Sequence, residues 1–169
     1  MRINQAQVHH DLFIGLRNSV TEDELRIKFN RNIRFFAGIE AALFNSVVVL
    51  LYSLYETRSD TINFPQFIAR LQDQILADEY ATYADRIRQI KPTSVRAGIL
   101  RNEIVGHQTL NRTRTSVEER AGVMLSDIEG LLDHARRLLF DISSRHFDVH
   151  LDYMTDSEMA VEQLMSMLP

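Results

Sequence analysis

The chain contains no cysteine. That removes disulfides, thiolate nucleophiles and sulfur-rich metal sites from consideration. It also lacks a Walker phosphate loop, a dinucleotide-binding glycine fingerprint and an HExxH zinc helix. The duplicated carboxylate–histidine pattern of a di-iron bundle is missing as well. No internal repeat or low-complexity tract stands out. The N-terminal stretch MRINQAQVHHDLF is too polar for a secretory signal. The most apolar run, Phe35 to Tyr55, is interrupted by Glu40, Asn45 and Ser46. A lipid-exposed span carries few or no such groups over its roughly 20 residues. The run is therefore expected to be a buried core helix of a cytoplasmic protein, with no membrane role.

What is present fits an ordinary soluble globule. The 169 residues are 45% apolar and 25% charged, which suits one domain over residues 1–169 with a sizeable core. The periodicity is helical nearly throughout. Residues 1–18 carry Val8, Leu12, Phe13, Ile14 and Leu16 and are expected to pack on the body. The sequence SVTE at Ser19–Glu22 has the form of a capping box, and a long helix is predicted over residues 20–56. Leu25, Phe29, Ile33 and Phe36 form its first apolar stripe; Leu43, Val47, Leu50 and Leu54 continue it.

Arg58–Thr61 is a polar break, and Asn63 followed by Pro65 marks the next helix start. The segment up to Ile90, anchored by Tyr80, Tyr83, Ile87 and Ile90, reads as one bent helix or two. Pro92 predicts a restart, with a short helix over residues 93–106 whose Val95, Leu100, Ile104 and Val105 face inward. Gly98 and Gly106 either weaken this helix or permit close approach. Ser116–Glu119 predicts the start of a strong helix to about residue 144, with Val123, Met124, Ile128, Leu131, Leu132, Leu138, Leu139 and Ile142 on its stripe. Thr155–Glu158 caps a short terminal helix. The fold class is all-α, a helical bundle.

Charge is unevenly spread. The chain is −4 overall, yet Arg86, Arg88, Lys91, Arg96, Arg101, Arg112 and Arg114 fall in one window whose only acid is Glu103. A basic patch of this kind offers a polyanion a local field that the net charge conceals. It is also what a solvated basic helix face looks like.

Inside that window lies RNEIVGH, Arg101 to His107, with a permanent cation, a carboxamide, a carboxylate and an imidazole in seven residues. RNA carries its own nucleophile, the 2′-OH. An imidazole titrating near neutrality can take that proton or protonate the departing 5′-oxygen. A guanidinium can hold the phosphate and stabilise the charge of the transition state. No metal or other cofactor is needed. On an ideal helix Arg101 and His107 stand about 9 Å and about 120° apart. Convergence on one phosphate then requires a distortion near Gly106 or a second copy of the motif across a dimer axis. Glu103, four residues before His107, has the spacing to orient the ring. The plainer alternative is that Arg101 belongs to a charged face and His107 bonds to a backbone carbonyl.

The stretch Arg101-Asn102-Glu103-Ile104-Val105-Gly106-His107 resembles the signature of the HEPN superfamily, in which a polar residue commonly follows the arginine and a histidine closes the motif. With the Leu/Phe-rich first helix, it is similar to the abortive-infection AbiU2-like branch over residues 20–145. The resemblance implies a four- to five-helix HEPN-like bundle with a long N-terminal helix, dimerising through the motif helices. It implies a metal-independent ribonuclease of phage defence or a toxin–antitoxin system, with Arg101 and His107 as the catalytic pair and Asn102 as the motif's polar position. RNA is the implied substrate, and an antitoxin or nucleotidyltransferase-like protein a further partner. The alternative within the same resemblance is a non-catalytic helical module that binds RNA or protein.

Other groupings rank lower. His146, Asp148, His150 and Asp152 alternate and would share a face if extended, as divalent-metal ligands require. An irregular link with Phe147, Val149 and Leu151 turned inward is the expected reading. His9-His10-Asp11 is ambiguous. His134 reads as a surface residue or satisfied core polarity, and Glu40 as a satisfied structural carboxylate. The methionine-rich tail, with Met154, Met159, Met165 and Met167, suits either a partner surface or final-helix packing.

Overall fold

The computed structural model describes residues 2–21, 23–102, 121–153 and 157–167. They hold seven helices: α1 (Arg2–Ser19), α2 (Asp23–Arg31), α3 (Ile33–Tyr55), α4 (Phe64–Leu71), α5 (Ala77–Leu100), α6 (Leu125–His146) and α7 (Ser157–Met167). No strand occurs among the described residues. The all-helical expectation holds. Contacts gather into two compact units, Met1–Val47 with Tyr153–Pro169, and Val48–Asp152.

The first unit is built where α7 lies along α1 and α2. Leu16, Phe29, Phe36, Val161 and Met165 are buried together, with Leu12, Leu25, Ile39 and Leu43 packed around them. Phe29 and Phe36 stack with ring centroids 5.0 Å apart, and Phe13 meets Phe44 at 5.5 Å. Glu40, the carboxylate inside the apolar run, faces the Arg17 guanidinium of α1 at 3.7 Å. In the tail, Val161 and Met165 belong to the core, whereas Met159 and Met167 are exposed.

The helix expected over residues 20–56 is two helices. Asn32 makes the junction: its N–H donates to the Phe29 carbonyl, and its own carbonyl accepts from Phe35 and Phe36. Short polar side chains compete with helical backbone bonding and favour such sites. The break turns Ile33 into solvent, off the stripe predicted for it. Ser19 closes α1 and does not cap α2, since its hydroxyl donates back to the Leu16 carbonyl. Glu22, the other end of the proposed capping box, lies outside the described residues.

Helix α3 is the apolar run of the sequence. By length and composition it is able to cross a membrane, and 22% of its most apolar stretch is buried. Burial follows one stripe through Phe36, Val47, Val48, Leu51 and Leu54, while Phe35 is exposed. The run is thus covered on one side, less completely than a core helix was expected to be.

In the second unit α5 packs against α4 and α6. Asn63 caps α4 as expected, its side-chain oxygen accepting from the Gln66 N–H, with Pro65 in the first turn. Pro92 does not restart the chain. Helix α5 runs straight through it, with Tyr83 buried before it and Ser94, Ala97, Gly98 and Leu100 after it. Pro92 itself is exposed. A helix anchored by burial on both sides tolerates the one hydrogen bond that an interior proline removes. Val95, predicted to face inward, is exposed.

Helix α6 begins at Leu125. Met124 precedes it as the cap residue, 71% exposed, so the apolar stripe starts at Ile128 and not at Val123. Asp127 sets this boundary by accepting from the Met124 N–H at 2.9 Å. Ser116–Glu119, the predicted start, lies outside the described residues. At the other end Asp148 takes a left-handed φ of 50°, and the N–H groups of Phe147 and Val149 both return to the Ser143 carbonyl. Asp tolerates this conformation better than most residues.

Candidate functional site

Arg101 and Asn102 stand where α5 ends. The Arg101 N–H still donates to the Ala97 and Gly98 carbonyls, and both residues continue in a wider π-type turn, a distortion that recurs at functional sites. The Arg101 guanidinium donates from Nη1 to the Asn102 side-chain oxygen at 2.8 Å. Its Cζ lies 5.6 Å from the ring centroid of Tyr52 on α3. Tyr52 reaches this position because Gly98 has no side chain. A Cβ there would come within 2.8 Å of Tyr52 Cε2. Close approach is therefore the role of Gly98. Arg101 is half-buried and Asn102 exposed.

The structure thus brings two of the three predicted site residues together. His107, the third, lies outside the described residues, as do Glu103, Ile104, Val105 and Gly106. Tyr52 was absent from the sequence reading. It lies far along the chain from Arg101, so no motif spacing points to it.

The basic window looks different in three dimensions. Arg86 pairs with Asp141, Arg88 with Asp85, and Arg96 with Asp127. Three of its five described cations are thereby matched with carboxylates, and the expected strong positive face is largely offset. Arg112 and Arg114 lie outside the described residues. Among the described residues no carboxylate lies within ion-pair distance of Arg101; its partners are an aromatic face and an amide.

A second polar cluster sits between the first half of α5 and the end of α6, beside a cavity of about 230 Å³ lined in part by Glu79, Tyr83, Arg86, Asp141 and Arg145. His146 Nε2 lies 3.2 Å from the Tyr83 hydroxyl and 3.9 Å from Glu79. Arg145 is 3.8 Å from Glu79. Burial, aided by Glu79 and Asp141 and opposed by Arg145 and Arg86, raises the Tyr83 pKa. Charges here are paired from helix to helix, as in a structural clasp.

Elsewhere on α6, the Tyr55 hydroxyl donates to the Leu131 carbonyl and lies 2.8 Å from His134 Nδ1. The one hydroxyl proton is committed to Leu131, so Nδ1 carries its own proton and donates to the Tyr55 oxygen. Burial and then the Arg86 charge lower the His134 pKa, so the ring is held neutral. His134 is thus satisfied at Nδ1 only; its buried Nε2 has no hydrogen-bond partner among the described residues, so the expected satisfied polarity is half met.

The metal-ligand groupings do not assemble. The left-handed Asp148 breaks the alternation that would have put His146, Asp148, His150 and Asp152 on one face. His146 ends α6 against Tyr83. The link after it is irregular, as expected, but Phe147 and Val149 are exposed and do not turn inward. His9 contacts the Ser46 hydroxyl at 2.7 Å, and His10 lies 3.5 Å from Asp11. No group of three or more potential ligands is found among the described residues.

The described residues are all-helical, which is consistent with a HEPN-like fold. The family model described as AbiU2 matches residues 5–164, and the chain belongs to this HEPN family. No curated protein and no solved structure matches it.

Proposed function

We propose that the chain is a metal-independent endoribonuclease acting in abortive infection or a toxin–antitoxin system. Membership in the AbiU2 family supports the biological setting. The observation that carries the chemistry is the state of Arg101. Its guanidinium has five N–H donors. One goes to Asn102, and no carboxylate among the described residues competes for the rest. Arg86, Arg88 and Arg96 are all so engaged.

In the proposed reaction the His107 imidazole takes the 2′-OH proton as O2′ attacks phosphorus. Arg101 stabilises the charge that builds on the phosphoryl oxygens. The P–O5′ bond breaks, and the departing oxygen takes a proton from water or from the imidazole of a second copy of the chain. The products are a 2′,3′-cyclic phosphate and a 5′-hydroxyl. Two copies joined through the motif helices would put both Arg101–His107 pairs around one cleft.

The test is cleavage of single-stranded RNA in excess chelator by wild type, R101A and H107A, with end-group analysis of the products. Wild type should cut and leave cyclic phosphate ends. Each variant should lose about 100-fold or more in rate. Equal cleavage by all three would remove these residues from the mechanism. The offset basic window favours one competing reading, a non-catalytic module that binds protein. Wild type that neither retains nor cuts RNA would support it.

A further inference from the structure

We propose that Tyr52 is a positioning residue that holds the Arg101 guanidinium by its face, so that the donor edge stays open to a substrate phosphate. The inference deepens the nuclease reading above and rests on it. Two independent observations meet at this ring. Arg101 Cζ lies 5.6 Å from its centroid, within the range of a cation–π contact. The ring edge also occupies the space that a side chain at residue 98 would fill, 2.8 Å from an added Cβ. The ring is thus fixed by the backbone of the helix that carries Arg101, one turn before it.

The choice of partner matters chemically. A carboxylate would also immobilise an arginine, but through the planar N–H fork that recognises phosphate. Asp141 and Asp127 take one terminal N–H of Arg86 and Arg96 respectively, and each sets a negative charge beside the cation. An aromatic face attracts the cation without using that fork. Asn102, a neutral amide, accepts from one terminal N–H. Ring and amide together hold the side chain, and among the described residues no other group takes its remaining donors. Gly98 is the condition for this arrangement, because alanine there would displace the ring from beneath the guanidinium.

The experiment compares wild type, Y52F, Y52L and R101A in the full-length chain, with single-turnover RNA cleavage and thermal melting on each. Y52L, which keeps bulk without the ring face, should lower the rate on the order of tenfold. Its apparent RNA affinity should change less than its rate, and Y52F should restore the rate. In an R101A background, Y52L should add no further loss, since the ring acts through the arginine. If Y52L cleaves at the wild-type rate while R101A is inactive, the positioning role is wrong and the nuclease reading stands. If Y52L and R101A lose rate additively, Tyr52 does not work through Arg101. If wild type cuts no RNA, or R101A cuts as well as wild type, the nuclease reading fails and takes this inference with it. Rate loss that tracks a lowered melting temperature, without rescue by Y52F, would also overturn it.

Discussion

Tyr55 has one hydroxyl proton, and its commitment to the Leu131 carbonyl decides the state of His134. With Nδ1 protonated and the ring half-buried beside Arg86, adding a second proton is unfavourable. The sign of the consequence follows. Above its ordinary value of 6.5, His134 is neutral folded or unfolded and contributes no pH dependence. Below that value the unfolded chain binds a proton that the folded chain refuses, so stability falls as pH drops toward the lowered folded pKa. Melting temperatures of wild type and H134Q measured from pH 8 to pH 5 should therefore diverge in slope. The wild type should decline more steeply below about pH 6.5. Parallel curves would show that the ring is not the group responsible. Burial also raises the Tyr55 phenol well above its ordinary range, so the hydroxyl keeps its proton across this window.

Helix α5 gives a test at the scale of an element. If Pro92 opened a helix, alanine in its place would be neutral or slightly harmful. Because the helix passes through, P92A supplies an N–H for the Arg88 carbonyl and removes the ring's clash with that turn. A gain of about 1–3 kcal/mol in denaturant unfolding is expected. The helices themselves were legible in the sequence because apolar residues recur at helical spacing. Their boundaries were less so. Asn32, Ser19 and Met124 make or mark ends through hydrogen bonds that a hydrophobic pattern does not contain. Pro92 misled because local preference pointed to a break, and packing on either side overrode it. The candidate site divides the same way. Arg101 and Asn102 are adjacent and announce themselves as a motif. Tyr52 supports them from a distant helix, and the pairing of Arg86 with Asp141 joins residues far apart in the chain. Only Asp85, three residues before Arg88, could have warned that the basic window is offset.

At the scale of the molecule, the first unit is assembled from segments far apart in sequence. Met165 has no exposed surface and sits with Leu16, Phe29 and Phe36. M165A should cost about 2–5 kcal/mol, measured by urea titration, as for other large-to-small changes in a closed core. M167A, at an exposed position on the same helix, should change stability by about 0.5 kcal/mol or less. A similar loss from both would mean that α7 does not pack as described.

The pairing of α1 with α7 also sets a timetable. A ribosome adding about 5–20 residues per second completes α1 and α2 many seconds before it makes the helix that covers them. Until then Leu16, Phe29 and Phe36 present bare hydrocarbon, which nascent-chain chaperones favour. The segment ending in Arg101 and Asn102 emerges during that interval. Closure of the first unit therefore waits until α7 has been made, and anything that captures the uncovered helices before then competes with the fold itself.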